Sequence, residues 1–231
     1  MNICVIPARG GSKRIPRKNI RDFCGKPMLS WSIEAALNSN CFDQVIVSTD
    51  DKEISSIAKS LGATIPFTRP SHLSDDYSTT QDVVSHAVSW YQASGHHLES
   101  VCCLYATAPF VQCHDLESSQ KYLQSTPSLS FVFSATSFAS SIQRAFAIDS
   151  QSGLARMFYP ELFHKRSQDL ETAYHDAAQF YWGRPEAWLN NKNLFENSRP
   201  YLMPRWRVQD IDEEEDWIRA ECLYWASTKL T

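Results

Sequence analysis

The stretch Asn2–Asn19, NICVIPARGGSKRIPRKN, joins a short apolar run to a loop that is dense in positive charge. Its first part, Asn2–Pro7, is rich in β-branched side chains and shows no polar alternation, which is typical of a strand buried on both faces of a sheet. Five cations lie in the ten residues 9–18, around two adjacent glycines. Because open α/β sheets bind ligands just beyond the carboxyl end of a strand, this loop marks a candidate site.

The composition of the loop indicates an anion site. Gly10 and Gly11 permit backbone conformations that point N–H groups into one concavity, and the flanking cations match the charge of a polyphosphate. The spacing fits neither the Walker A motif nor the dinucleotide-binding glycine motif. A solvated basic loop is the plain alternative, but the chain as a whole has a formal net charge of −4. We therefore predict phosphate binding by another kind of nucleotide fold.

Apolar runs and helical patterns alternate along much of the chain. Further strands are predicted at Gln44–Ser48, Val101–Tyr105, Leu129–Ser134 and Gln179–Gly183. Helices are predicted at Met28–Leu37, Glu53–Leu61, Gln81–Gln92 and Asp115–Leu123, several of them capped by residues such as Asp50, Thr79 or His114 and Asp115. Alternation at this spacing implies βαβ units and a mainly parallel sheet.

Two later regions complete the predicted architecture. Between Ser137 and His175 the alternation breaks, and we predict an insertion around residues 137–178 that takes part in dimerisation. A final helix should run from about Asp212 to Thr228 and bury Trp217, Ile218, Cys222, Leu223 and Trp225. One domain, 1–231, is expected, since a chain of 231 residues can bury one sizeable core.

Composition excludes several classes of function. A net charge of −4 argues against nonspecific nucleic-acid binding, which needs a basic surface. No apolar run approaches the roughly 20 residues of a membrane helix, and no basic segment precedes Asn2–Pro7, so a cytoplasmic protein without membrane partners is expected. The seven cysteines form no C-x-x-C pair and are predicted to be reduced, with Cys4, Cys102, Cys103 and Cys222 in apolar runs of the core.

The segment Ile6–Ile20 resembles the N-terminal signature of CMP-sialic acid synthetases and their relatives, the CMP-nonulosonic acid synthetases. Further segments resemble the family in the same order: Gly25–Ser32, Val45–Asp51, Arg69–Pro70, Leu73–Thr80, Leu104–Phe110 and Gln209–Trp217. The resemblance implies a three-layer α/β/α fold of the nucleotide-diphosphosugar transferase type. It also implies CTP as substrate, Mg²⁺ as cofactor and a homodimer.

The same resemblance implies roles for individual residues. Attack of the sugar on the α-phosphorus of CTP would be assisted by Arg9, Lys18 and Asp212, because charge builds on phosphate oxygens. Asp210 and Asp212 would hold the metal. The CTP-binding residues would be Arg9, Gly10, Ser12, Lys13, Asn19 and Thr80.

Other roles stay open for some of these residues. Asp212 could instead cap the last helix with Glu215 as its partner. Thr79 could contact the nucleotide or cap a helix. For Asp50, a role as a helix cap and a role in the site are equally favoured. Arg14 and Arg17 could help bind phosphate or be solvated.

The sugar side departs from the sialic acid enzymes. Tyr105 and Ala106 stand where those enzymes carry Gln-Pro, and Tyr174–Trp182 resembles the HDAGQFYW segment of pseudaminic acid cytidylyltransferases. The predicted sugar contacts are Tyr105, His175, Asp176, Gln179 and Tyr181, whereas Phe180 and Trp182 are favoured as core residues. The implied product is CMP-pseudaminic acid, a precursor for surface glycans or flagellin glycosylation. Legionaminic and sialic acid remain alternative sugars, and an inactive nucleotide-binding relative is the alternative of a different class.

Overall fold

A computed structural model describes residues 1–190 and 192–228, and its centre is a six-stranded sheet. The strands of this sheet are β1 (Asn2–Pro7), β4 (Gln44–Ser48), β5 (Ser100–Leu104), β6 (Phe131–Ser137), β9 (Tyr174–Gly183) and β10 (Ser198–Leu202), in the order β10-β6-β9-β5-β1-β4. The short strands β2 (Asp22–Phe23) and β3 (Lys26–Pro27) form a separate antiparallel pair. β1 pairs in parallel with β4 and β5, and β10 pairs in parallel with β6. β9 lies antiparallel between β5 and β6. The predicted mainly parallel sheet is therefore confirmed.

Helices cover both faces of the sheet, as expected for three layers. The helices are α1 (Met28–Asn38), α2 (Lys52–Ser60), α3 (Thr80–Ala93), α4 (Cys113–Ser125), α5 (Pro185–Leu189) and α6 (Glu214–Ser227). One core cluster packs α1, α2 and α4 against sheet residues such as Ile6, while the other packs α3 and α5 against residues such as Val5. Since successive residues of a strand point to opposite faces, the apolar run of β1 serves both clusters.

Helix starts differ in detail from the sequence prediction. α2 is capped by Asp51, not Asp50, and α4 begins after Gln112, with Asp115 at its third position. α3 is capped by Thr79, whose side chain and that of Asp82 form a capping box. These shifts arise because a cap is selected by which side chain reaches the free N–H groups, and neighbouring acids compete for that place.

The last helix starts later than predicted and buries a different face. α6 is capped by Glu213 with Asp216 as its partner, so the alternative in which Asp212 caps this helix with Glu215 is wrong. Trp217 and Ala220 are buried, and Leu223 and Tyr224 pack partly against the same cluster. The expected burial of Ile218, Cys222 and Trp225 is wrong, because these residues lie on the opposite stripe of the helix and are exposed.

The segment between β6 and β9 carries the short antiparallel strands β7 (Phe146–Ile148) and β8 (Ala155–Met157) and no α-helix. Several large apolar side chains of this segment are exposed: Phe138, Phe146, Ile148, Leu154, Phe158 and Phe163. β9 already begins at Tyr174, so His175 and Asp176 lie on the central sheet itself.

Within the described residues, no helix is both long enough and apolar enough to cross a membrane. All seven cysteines are free thiols. Cys4, Cys102 and Cys103 are fully buried, as predicted.

Candidate active site

The basic loop folds back on itself at the carboxyl end of β1. Ile15 is buried at its centre, and the Asn19 side-chain amide donates to the carbonyl of Arg9 at 3.0 Å. The left-handed backbone conformation in this loop belongs to Arg17, with φ of 57°, and not to Gly10 or Gly11. Gly10 is required for another reason, because a Cβ there would lie 2.6 Å from a carboxylate oxygen of Asp51.

The loop forms one wall of a cleft of about 270 Å³. The cleft is lined by most of the residues predicted to bind CTP, together with Asp212 and Tyr105: Arg9, Ser12, Lys13, Lys18, Asn19 and Thr80. Gly10 is the exception, since its N–H donates to Asp50 at 3.1 Å and is already engaged. Residues that are up to 203 positions apart, from Arg9 to Asp212, thus meet in one cleft.

The cations of the cleft are paired with acids from other parts of the chain. Arg9 and Lys13 share the carboxylate of Asp76, at 2.7 and 2.5 Å. Arg14 contacts Asp212 at 2.8 Å and lines the cleft. Arg17 instead binds Asp51 and Glu53 and is not among the cleft residues. Ion pairs between exposed groups contribute little to stability, so a polyphosphate can take the place of Asp76 at small cost.

Lys18 is the least exposed of the loop cations. Its Nζ donates to the carbonyl of Ile211 at 2.5 Å and lies 3.5 Å from the Asp212 carboxylate. Burial lowers the pKa of Lys18, although Asp212 and Asp210 act in the opposite direction. The lysine is therefore held in place at the junction between the basic loop and the segment before α6.

That segment is fixed by a buried ion pair. Arg207 binds the fully buried carboxylate of Asp115 on α4 at 2.6 and 2.9 Å. Ile211 is fully buried and lies between Asp210 and Asp212. Asp212 lines the cleft, and both acids line the opening that adjoins it. Such anchoring keeps the two acids close to Lys18.

Asp210 and Asp212 offer a donor set that suits Mg²⁺. Partial burial raises the pKa of Asp210, and the neighbouring Asp212 raises it further. Two hard oxygen donors that repel one another are stabilised by a divalent cation. No group of three possible metal ligands occurs among residues 1–190 and 192–228, so a cation here would also need oxygen atoms from a ligand.

Most of the predicted sugar-side residues lie on the strand β9, next to the cleft. His175 is exposed, with its Nδ1 2.8 Å from the Asp176 carbonyl. Asp176 accepts from the N–H of Ala178 at 2.8 Å and from the Tyr181 hydroxyl at 2.7 Å. These residues and Tyr105 line two openings that adjoin the cleft at Thr80, Tyr105 and Asp212.

Gln179 is placed differently from the sequence prediction. Its side chain is fully buried, and its amide nitrogen donates to the carbonyls of Ala177, Ala178 and Gln209 at 2.8, 3.2 and 3.4 Å. Its Oε1 is buried without a hydrogen-bond partner among the described residues, and Gln179 lines neither the cleft nor its two adjoining openings. Phe180 and Trp182 are fully buried, which confirms them as core residues.

Two residues that bear on the site were not singled out as site residues from the sequence. Arg69 lines the cleft with only 5% of its surface exposed, and its guanidinium donates to the side chain and carbonyl of Ser48. Burial lowers the pKa of Arg69 to about 10. Asp76, the partner of Arg9 and Lys13, lies beside the cleft in an exposed loop and is not among the lining residues. Both residues fall in segments that resemble the family, 69–70 and 73–80, but the resemblance implied no role for either side chain.

Comparison with known proteins identifies the family. A family model described as cytidylyltransferase matches residues 3–199. A protein of Campylobacter jejuni named pseudaminic acid cytidylyltransferase is 47% identical over 225 residues, which cover 96% of each chain. A CMP-N,N'-diacetyllegionaminic acid synthase of Legionella pneumophila is 33% identical, over 96% of this chain and 95% of its own.

A solved structure of CMP:2-keto-3-deoxy-manno-octonic acid synthetase complexed with CTP has the same fold. Its TM-score is 0.72 at 17% identity, over 98% of this chain and 99% of that chain. The expected α/β fold is thereby confirmed. The chain belongs to the cytidylyltransferase family and is a nucleotidyltransferase.

Proposed function

We propose that this cytidylyltransferase joins pseudaminic acid to CMP, using CTP and releasing pyrophosphate. The 47% identity to the Campylobacter jejuni enzyme over nearly the whole chain supports this choice of sugar. The structural observation that supports the proposal is a cleft lined by the loop cations and Asp212. This cleft adjoins one opening lined by tyrosines and another lined by Asp210 and Asp212. Such a cleft can hold a triphosphate and an acidic sugar side by side.

The positively charged loop residues stabilise the negative charge that develops on the phosphate oxygens during the reaction. Arg9 and Lys13 bind the triphosphate after releasing Asp76, and Ser12 and Asn19 complete the loop around it. The oxygen of the anomeric hydroxyl bonds to the α-phosphorus and its proton passes to solvent, while pyrophosphate leaves with the electrons of the broken P–O bond. Lys18, held between the loop and Asp212, stabilises the negative charge on the reacting phosphate.

Asp210 and Asp212 would hold Mg²⁺ together with oxygen atoms of the triphosphate. When bound, the cation neutralises phosphate charge and orients the nucleotide. Asp212 also contacts Arg14 and Lys18, so it couples the acidic pair to the basic loop. The exchange of partners around Asp212 is the expected consequence of nucleotide binding.

Arg69 extends the proposed nucleotide site beyond the phosphates. It is a buried guanidinium on the cleft wall whose described hydrogen bonds both go to Ser48. A guanidinium can only donate hydrogen bonds, so it suits an acceptor atom of a base or ribose. We place Arg69 with Thr80 on the side of the cleft that receives the nucleoside.

The sugar would lie toward β9. Tyr105, Tyr181 and Asp176 border one small opening, and His175 with Asp176 borders the next. Legionaminic acid is the second candidate, because the Legionella pneumophila relative covers the chain equally well at lower identity. Gln179 is left out of the proposed contacts, since its side chain is buried and bound to backbone carbonyls.

We further propose a homodimer built through the segment 137–173. The exposed apolar side chains of that segment are more than a solvated hairpin needs, and burying them against a second copy would remove them from water. Sedimentation of wild type against a Phe146→Ser, Phe158→Ser variant tests the dimer, which the paired substitutions should dissociate.

A cytoplasmic location fits seven free thiols.

The decisive experiment is pyrophosphate release from CTP and Mg²⁺, with pseudaminic, legionaminic, neuraminic and 3-deoxy-octulosonic acids offered separately. We expect turnover with pseudaminic acid and little with the others. Turnover with another sugar would keep the family and overturn the choice of substrate. A folded protein that turns over none of the four would contradict the proposed reaction.

A further inference from the structure

A buried cluster of charged and polar side chains holds the start of the segment that carries Asp210 and Asp212. Arg207 donates two hydrogen bonds to the carboxylate of Asp115 on α4, from Nη1 at 2.6 Å and from Nη2 at 2.9 Å. The Tyr201 hydroxyl on β10 donates to the same carboxylate at 3.0 Å. We call Asp115, Tyr201 and Arg207 the Asp115 cluster. None of its three residues lines the cleft or the two adjoining openings.

The ion pair of the Asp115 cluster is closed to water. The Asp115 side chain is fully buried, and Arg207 has 6% of its surface exposed. Removing two charges from water is costly, and apolar side chains of similar volume often give equal or greater stability. Stability alone is therefore a weak reason for an ion pair at this place. Its two parallel hydrogen bonds, however, fix the direction of the Arg207 side chain.

Arg207 also connects the ion pair to both walls of the cleft. Its Nη1 donates to the carbonyl of Phe110 at 3.3 Å. The Phe110 side chain packs in one apolar cluster with Ile15 of the basic loop and with Ile211. Ile211 lies four positions after Arg207, and its carbonyl accepts from Lys18 at 2.5 Å. Because packed interiors transmit displacements, a shift of Arg207 would move the carbonyl that holds Lys18.

The other end of the acidic segment is held by the first turn of α6. The N–H groups of Asp212 and Glu213 donate to the Asp216 carboxylate at 3.1 and 3.0 Å. The Gln209 side chain donates to the same carboxylate at 3.1 Å. The acid pair therefore lies on a short segment that is fixed at Arg207 on one side and at Asp216 on the other.

We propose that Asp115 and Arg207 are positioning residues of the transfer reaction, which hold the Ile211 carbonyl and Asp212 against Lys18. The inference rests on the proposed function, in which Lys18 and Asp212 act at the reacting phosphate. Neither Asp115 nor Arg207 touches the substrates. Misplacing reacting groups by about 1 Å can cost about 100-fold in rate, so a loosened segment slows the reaction before it affects the fold.

Arg207→Lys is the main test, because lysine keeps the positive charge beside Asp115 but lacks the two parallel donors of a guanidinium. Acetylation of amines, quantified for each lysine by mass spectrometry, measures access to Lys18 in protein without nucleotide or Mg²⁺. Lys18 has 18% of its side chain exposed, and Lys26, with 27% exposed and paired with Glu34, is the internal reference. We expect Lys18 to react about fivefold faster in the variant, which is the effect of one lost hydrogen bond on local opening. Lys26 should react at the wild-type rate.

Steady-state kinetics should separate kcat from KM. The kcat of Arg207→Lys should fall about tenfold, since the reacting groups are misplaced. The KM for CTP should change little, because Arg9 and Lys13 are paired with Asp76 and do not contact the Asp115 cluster. An equal rise in the labelling of both reference and test lysines would indicate general loosening of the fold and would overturn the inference.

Arg184→Lys is the matched control. Arg184 is a partly buried arginine at the opposite end of α4, where it donates to the carbonyls of Leu123, Thr126 and Leu129 at 2.9, 3.4 and 3.0 Å. Its substitution also removes hydrogen bonds of a guanidinium, but far from the acidic segment. Its labelling pattern and its kcat should equal those of wild type.

A double variant, Asp115→Asn with Arg207→Met, separates position from stability. It leaves no unpaired charge in the interior, and the amide oxygen still accepts from Tyr201, so the chain is expected to fold. Lys18 should again react faster, and kcat should again be lower. Wild-type labelling of Lys18 together with wild-type kcat, in either folded variant, would overturn the inference. A wild-type protein without turnover on any sugar would contradict the proposed function, whereas the labelling would still show whether Arg207 holds the segment.

Discussion

The two sides of the cleft reach specificity by opposite means. The phosphate side, formed by the loop 9–18 with Asp76, Asp210 and Asp212, consists of charged groups that share partners and can exchange them. The side toward β9 is partly buried, and its hydroxyl groups are held in two separate hydrogen bonds, Thr80 with Tyr105 and Tyr181 with Asp176. Exchangeable ion pairs suit a ligand that must enter and leave, whereas fixed hydrogen bonds suit a binding surface of constant shape.

The largest effect is expected from Lys18, the most enclosed cation of the phosphate side. Lys18→Met removes charge stabilisation at the reacting phosphate, and loss of one such donor costs about 100- to 1000-fold in kcat. Pyrophosphate release at saturating CTP measures it. Lys18→Arg should recover only part of the rate, because a planar guanidinium does not replace a compact ammonium. A loss below about tenfold, in protein with wild-type melting behaviour, would remove Lys18 from the catalytic residues.

Asp210 should give the next largest effect. Asp210→Asn keeps the shape of the side chain but removes one of the two proposed metal carboxylates. The Mg²⁺ concentration needed for half-maximal rate should rise about 10- to 100-fold, and excess chelator should abolish activity of wild type. Glu215→Gln is a suitable control, as an exposed acid of the first turn of α6. An equal rise in that variant would indicate a general charge effect and not ligation.

Asp76 should have a smaller effect with the opposite sign. Asp76→Asn frees Arg9 and Lys13 before the nucleotide arrives, so the KM for CTP should fall, by at most about fivefold for an exposed pair. The matched control is Asp169→Asn, which breaks the exposed ion pair with Arg166 far along the chain. A rise in KM would show that Asp76 orders the loop for binding and does not compete with phosphate.

The contrast between the phosphate side and the side toward β9 also explains which residues the sequence could predict. The phosphate side is mostly contiguous, so charge density and resemblance predicted Arg9, Lys13 and Lys18, which the structure brings together. β1 and β4 were predicted to the residue and β5 to within one residue, since each is a continuous apolar run. β6 begins two residues and ends three residues later than predicted, and β10 was not predicted, because none of its residues is buried. Arg69 and Asp76 were not predicted as site residues, because the positions of their side chains depend on loops whose conformation has no period.

The contacts of Tyr181 depend on register and on a bulge that no sequence pattern predicts. Asp176 and Tyr181 are five residues apart, so in a regular strand they would point to opposite faces. Ala178 has φ of 51°, and the pairing of β9 with β6 shifts at this point, which brings both side chains to the same side. The pairing Leu104↔Phe180 then sets the ring of Tyr105 beside that of Tyr181. Resemblance could suggest these residues as sugar contacts, but not the hydrogen bond from Tyr181 to Asp176.

The smallest effect is expected from salt. Raising KCl from about 0.05 to about 0.5 M shortens the screening length severalfold, so the KM for CTP should rise a few-fold as the exposed cations of the loop are screened. Pyrophosphate release with CTP titrated at the two salt concentrations measures this change. An unchanged KM would show that these cations do not bind the triphosphate.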